Sequence, residues 1–262
     1  HLEFSLLGMF TPYSFQLAFF FFISGYLFKE KYLTDVVTFV KRRFTTLLIP
    51  YFWYNIFYLG VTVLIAKLTG KFWGMPLSLK NFFITPFLNG HQFDLACPLW
   101  FVTQLFVTMI VFLFLFRVLK AAKDNKYFHL AVFAIIGISA IPLCKIIKID
   151  PLTLVVIRTM FSVFFVYLGY YYRHFIEDKI DIFNAKWLGA IIVLQSILWL
   201  FNRDFDPEHG IGLSYVLVWA RFDEQLIVPI ITALTGIWAS LWVVKLVYPY
   251  FKNIKFVRLM GE

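Results

Sequence analysis

Residues 19–32 read FFFFISGYLFKEKY. Four consecutive phenylalanines run into Ser24-Gly25-Tyr26, and the chain then turns abruptly to Lys29, Glu30 and Lys31. A stretch this apolar that ends in charge reads as the end of a helix leaving a bilayer, with the lysines as its stop. The phenylalanines supply membrane-facing or bundle-packing surface. Ser24 and Gly25 are small, and small residues let helix backbones approach closely in lipid. The pair is therefore expected to be a packing notch, with Ser24 also able to hydrogen-bond inside the bundle.

Composition extends that reading to the whole chain. Of 262 residues, 61% are hydrophobic, 21% aromatic and only 15% charged, against about 45–50% apolar and about 25% charged in soluble domains. The excess is too large for a buried core, so most side chains face hydrocarbon. The fold class expected is all-α, a polytopic transmembrane helical bundle forming a single domain over residues 1–262. A crossing helix needs about 20 apolar residues, and seven segments meet or approach that length: 10–28, 45–66, 98–116, 127–144, 151–172, 187–201 and 226–248. Segment 81–97 is broken by Pro86, Asn89-Gly90-His91 and Asp94, so a loop with a partly buried helix is expected there. Segment 211–220 is apolar but too short to span, an interfacial or re-entrant candidate.

Charge orients these spans. Sixteen of the 24 Lys and Arg residues lie in 29–43, 117–126, 173–186 and 245–262, and seven lie in the alternate loops; Arg158 lies inside a span. Cytoplasmic loops carry the Lys/Arg excess, which assigns the first set to the cytoplasm. The formal net charge of +9 then reflects topology and contact with anionic lipid or ligand, not nucleic acid. Membrane lipids are the expected surroundings, and no Gly-rich phosphate loop, Cys/His metal spacing or internal repeat is visible. Cys97 and Cys144 read as free thiols, small hydrophobes in a membrane protein. The chain starts at His1 with no signal peptide and stops at RLMGE, so both ends are expected to be truncated.

A few residues carry the chemistry. In VKRRFTTLLIPYFWYN (40–55), Arg42 and Arg43 sit one turn below a helix expected to open near Phe44. They serve either as snorkelling anchors or as guanidinium forks for the phosphates of a cytosolic ligand. Pro50 is expected to kink that helix and free a carbonyl. Arg158, within PLTLVVIRTMFSVFF, is the charge placed deep in a span. Its burial costs at least about 2.5–3.5 kcal/mol, so it must face the bundle interior or a water-filled cavity. It is either paired structurally, with Asp223, Glu224 or Asp94 as partners, or ligates an anionic group or developing oxyanion. His91 and Asp94 in NGHQFDLACPLWFV either support proton transfer or cap a helix, and NRDFDPEHGIG (202–212) is an acidic, hydrated loop.

Taken in order, these pieces resemble the acyltransferase-3 family of multi-pass membrane O-acyltransferases. A histidine near the outer end of the first helix, here His1, precedes an FFFxSGYL-like segment, here Phe20–Leu27. An RRF..LLIPY-like run follows as Arg42, Arg43 and Leu47–Tyr51, then an LWFV-like helix start at Leu99–Val102, then FVYLGYYYR (165–173), which resembles an FFxLGYxxR-like stretch. Thr45 and Thr46 stand where the family often has a further basic residue. The resemblance implies that the first and last helices of the domain lie outside this chain. It further implies acyl transfer, acetyl in the first instance, from cytosolic acyl-CoA to a hydroxyl of a surface glycan or its lipid-linked precursor, in a bacterial inner membrane and without a metal. His1 would be the catalytic base, since histidine titrates in the useful range, and Arg42 and Arg43 would bind the phosphates of acyl-CoA. A catalytic, oxyanion-stabilising role for Arg158 is our own inference from its placement. The rival class is a transporter or flippase of a polar lipid-linked substrate, which would also use an intramembrane arginine and kinked helices. Transporters often carry internal repeats.

Overall fold

The computed structural model describes residues 15–88, 93–179, 183–202, 215, 217–222 and 226–251. Seven helices carry the apolar segments: α1 Gln16–Tyr26, α2 Val36–Thr69, α3 Trp100–Ala122, α4 Lys126–Ile146, α5 Pro151–Ile176, α6 Ala185–Asn202 and α7 Val228–Phe251. Five of them, α2 to α5 and α7, are long and apolar enough to cross a membrane. The protein is an all-α, multi-pass integral membrane bundle, and each expected span has its helix.

The breaks between helices follow local chemistry. Gly70 ends α2 at φ 72°, the left-handed conformation that glycine adopts without a Cβ penalty. The Asn125 side chain accepts from the Tyr127 and Phe128 N–H groups to start α4. Asp150 and Thr153 form a reciprocal capping box ahead of Pro151, which starts α5 where its missing N–H costs nothing. Residues 79–88 form the short helices Leu79–Phe83 and Thr85–Leu88, as expected for an interrupted segment, and a 3₁₀ turn over Asp94–Leu99 leads into α3. Segment 211–220 is described only at Tyr215 and from Leu217 to Ala220, where Leu217–Trp219 form one 3₁₀ turn.

One boundary differs from the sequence reading. α2 opens at Val36, capped by Asp35, rather than near Phe44, so Arg42 and Arg43 lie inside a continuous helix. Its disturbance precedes Pro50 and takes the form of a π-helical segment over Phe44–Leu48. Proline clashes with the carbonyl four residues back, here that of Thr46, and the wider π turn relieves the crowding. The Thr45 and Thr46 hydroxyls both donate to the Arg42 carbonyl, at 2.9 and 2.8 Å.

The chain divides into two compact units: Phe21–His174 with Leu217–Arg221, and His1–Phe20, Phe175–Val216 and Phe222–Glu262. In the first, α5 is the central element, packed on α3 and α4. Its Ile157, Phe161, Phe165, Val166 and Tyr167 are buried. Aromatic rings fill the space between these helices: Phe133 stacks on Tyr167 at 4.6 Å, and Phe116 meets Tyr170 edge-on at 4.9 Å. Offset and edge-to-face pairs of this kind add about 0.5–1.5 kcal/mol each, which explains the use made of so aromatic a composition. Outward-facing residues such as Trp53, Phe57, Phe114 and Ile135 are exposed, as lipid contact requires.

The opening motif acts within this unit. A Cβ on Gly25 would overlap the Val166 carbonyl, and one on Gly169 would overlap the Phe22 carbonyl. The two glycines thus let α1 and α5 cross backbone against backbone. Ser24 is half-buried and makes no side-chain hydrogen bond among the described residues, so the notch works by size alone. In the second unit α6 packs on α7, and Thr235 donates to Gln195 Oε1 at 2.7 Å across the pair. Cys144 is a free, half-buried thiol that donates to the Ile141 carbonyl.

Candidate functional site

The predicted residues fall at two levels of the first unit. The basic end brings together residues of three stretches that the charge pattern had placed on one side of the membrane, around Glu30, Lys120 and Arg173. Lys120, at the end of α3, bonds Glu30 at 2.7 Å, and the Tyr170 hydroxyl donates to the other oxygen of the same carboxylate. Burial by itself would raise the Glu30 carboxyl. Hydrogen bonds from Lys120 and Tyr170, with the charges of Lys120 and His174, hold it below its ordinary value instead. The Arg173 guanidinium donates to the Tyr26 carbonyl at 2.9 Å and lies over the Tyr26 ring, closing the C-terminal end of α1.

Arg42 and Arg43 belong to this end. Arg42 is exposed and donates to the Tyr32 hydroxyl at 3.1 Å; Arg43 is half-buried with its guanidinium 5.3 Å from the Phe39 ring centre. Neither forms an ion pair with a carboxylate among the described residues. Both thus present a fixed, uncompensated cation, the state a phosphate ligand needs. Thr45 and Thr46 add nothing to such a site through their hydroxyls, which turn back onto the helix backbone.

Arg158 sits at the other level. Only 1% of it is exposed, its Nε donates to the Leu217 carbonyl at 3.3 Å, and its guanidinium lies 4.6 Å from the centre of the Trp100 ring. The 217–222 turn that supplies the carbonyl carries a positive φ of 49° at Ala220, an uncommon conformation for a residue with a Cβ. The Trp100 ring covers one face of the guanidinium. Of the expected carboxylate partners, Asp94 is exposed, and Asp223 and Glu224 lie outside the described residues. His91 and the proposed base His1 lie outside them as well.

The sequence reading missed the polar groups around this arginine. Gln104 Nε2 donates to Thr159 at 2.9 Å and to Thr108 at 3.3 Å, tying α3 to α5. Thr103 donates to the Pro86 carbonyl at 3.0 Å. Ser162, one turn beyond Arg158, is fully buried with no hydrogen-bond partner among the described residues. The available signal was the polar spacing of Thr103, Gln104 and Thr108 inside an otherwise apolar helix. Twelve residues of α5 separate Arg158 from Tyr170, or about 18 Å at about 1.5 Å per residue. The structure therefore does not bring Arg42 and Arg43 together with Arg158: the two lie deep and shallow in one bundle.

A helical bundle with an accessible arginine pair at one end and a polar layer around a buried arginine within it is a multi-pass membrane protein with a functional interior. The chain belongs to the acyltransferase-3 family, whose sequence model, described as an acyltransferase domain, matches residues 1–258. It is a membrane acyltransferase. Comparison with curated proteins and with solved structures finds no match.

Proposed function

We propose that the protein transfers an acyl group, acetyl in the first instance, from acyl-CoA to a hydroxyl of a carbohydrate acceptor such as a surface glycan or its lipid-linked precursor, in a bacterial inner membrane. The observation that carries the donor reading is the pair Arg42 and Arg43 at the basic end, which form no ion pair with a carboxylate among the described residues. By the positive-inside rule that end faces the cytoplasm, where acyl-CoA is found, and the two guanidinium groups suit its phosphates.

The chemistry then divides among three positions. His1 removes the proton of the acceptor hydroxyl as its oxygen attacks the thioester carbonyl. The carbonyl oxygen becomes an oxyanion, which Arg158 stabilises; its guanidinium plane is held by the Leu217 carbonyl and the Trp100 face, so little reorganisation accompanies the charge. Collapse breaks the carbon–sulfur bond, the proton passes to the departing thiolate, and ester and free CoA result. Exclusion of bulk water from the buried Arg158 strengthens its attraction for the oxyanion.

The test is incubation of membranes holding the full chain with labelled acetyl-CoA, followed by mass spectrometry of the labelled glycan. Labelled ester that disappears in His1→Ala is the expected result. Full transfer by His1→Ala would remove His1 from the role of base, and substrate movement with no acyl transfer would restore the transporter reading.

A further inference from the structure

α2 carries a polar face that neither the fold nor the site described above uses. Tyr51 is 1% exposed, and Asn55 and Thr62 are fully buried. The Tyr51 hydroxyl interacts with the Asn55 side chain one turn on, short of full hydrogen-bond geometry; apart from that contact, it, both amide atoms of Asn55 and the Thr62 hydroxyl have no hydrogen-bond partner among the described residues. The spacings of four and seven residues keep all three on one face of a helix. Their neighbours on the other faces, Trp53, Tyr54, Ile56, Phe57 and Leu64, are exposed and look toward lipid. The orphaned atoms therefore line the inward side.

Buried polar groups almost always find partners, and leaving one unmade is costly. Four atoms without a full hydrogen bond on one inward face mark a place completed by something outside the protein. Its length is informative. Tyr51 and Asn55 lie about 12 and 18 Å along α2 from Arg43, and Thr62 about 28 Å. Arg158 lies about 18 Å from the basic end along α5. A donor held by its phosphates at Arg42 and Arg43 must extend about that far to bring its thioester to the buried arginine. The part of acyl-CoA that does so is an extended arm bearing secondary amides. A carboxamide side chain offers one donor and one acceptor, the complement of such an amide.

We infer that Tyr51 and Asn55 form an amide-reading site that binds the extended arm of the acyl donor inside the membrane, with Thr62 continuing the polar path beyond it. The inference rests on the acyl-CoA reading. It gives α2 a double task, with phosphates taken at the π-widened end and the arm guided along the inward face. The orphaned atoms cost stability in the unliganded protein and are satisfied when the donor is in place.

The test is thermal unfolding of the full chain in detergent with two probes, coenzyme A and its nucleotide bisphosphate half, which lacks the arm. Wild type is expected to bind coenzyme A more tightly than the bisphosphate. Tyr51→Phe and Asn55→Leu are expected to keep bisphosphate affinity and weaken coenzyme A about ten-fold each, the scale of one buried hydrogen bond of about 1.4 kcal/mol. Retained bisphosphate binding shows that a variant is folded. Variants that bind coenzyme A as wild type does would overturn the amide site and leave the donor reading standing. Wild type that binds neither probe would overturn both. The unliganded Tyr51→Phe protein should melt no lower than wild type, because it loses only the poorly aligned contact with Asn55; a clear fall in Tm would show the hydroxyl to be already satisfied and also overturn the site.

Discussion

Replacing Gly25 by alanine should separate α1 from α5. The added Cβ would lie inside the Val166 carbonyl, a backbone group that no rotamer change can move aside. Overpacking a well-packed contact costs about 1–3 kcal/mol, and obstruction by backbone points to the upper end. The same crossing carries the Arg173 bond to the Tyr26 carbonyl and the Tyr170 bond to Glu30. Arg173 is exposed, so its bond adds only about 0.5 kcal/mol after solvent screening. A total near 3 kcal/mol lowers Tm by roughly 6–12 °C for a chain of this size. Gly169→Ala, whose Cβ would overlap the Phe22 carbonyl, should match it. Because both obstruct one crossing, the double variant should lose far less than the sum of the two. Gly60→Ala is the control, since nothing lies within 4 Å of its added carbon, and it should shift Tm by less than about 2 °C. The assay is thermal unfolding in detergent followed by tryptophan fluorescence. Gly25→Ala and Gly169→Ala proteins that melt with wild type would refute the close crossing.

Arg42→Ala with Arg43→Ala should raise the acyl-CoA concentration needed for half-maximal transfer while leaving the acceptor KM unchanged; an unaltered donor dependence in a donor titration would return the pair to a headgroup anchor. Arg158→Met should lower kcat by about 100- to 1000-fold, the usual scale for one oxyanion donor, and a wild-type turnover number in the labelled-acetate assay would remove it from the chemistry. Glu30 sets a pH dependence. Its carboxyl is held below 4.5 in the folded protein, so its contribution is fully present above that value and is lost as pH falls through the depressed folded value. Glu30→Gln should accordingly flatten the acid side of a Tm-against-pH curve, and an acid limb as steep as that of wild type would show that other carboxylates control it.

The helices were legible because hydrocarbon length imposes a ruler on sequence: five of the seven expected spans meet it, and the described helices at 10–28 and 187–201 are shorter apolar ones. The start of α2 was not. Lys41, Arg42 and Arg43 end the apolar run, yet charge does not end a helix: Asp35 caps it a full two turns earlier, and the cations extend from its exposed turn. The buried arginine was legible for the opposite reason, since a charge inside an apolar run is costly enough to stand out. Gln104, Thr159, Ser162, Tyr51 and Asn55 were not singled out. A neutral polar side chain is cheap enough in a span to pass unnoticed, and only packing reveals whether it finds a partner, as Gln104 does, or is left without one among the described residues, as Thr62 is.

The two glycines join landmarks that the sequence could place only in order. FFFFISGYLF and FVYLGYYYR lie far apart in the chain, yet Gly25 and Gly169 set their backbones in contact, and Arg173 and Tyr170 of the second motif bind Tyr26 and Glu30 beside the first. That clamp fixes the depth of α5 relative to the end of α1, and Lys120 ties the end of α3 to the same carboxylate. α5 carries Arg158, and α3 carries Trp100 and Gln104, so one anchored end sets the register of the whole polar layer. Polar groups in a bilayer gain only about 0.6 kcal/mol per interhelical bond on average, too little to hold that register alone. The glycine notch therefore acts on the chemistry without touching it: it sets how far the buried arginine stands from the arginines at the basic end, and hence the length of donor that fits between them.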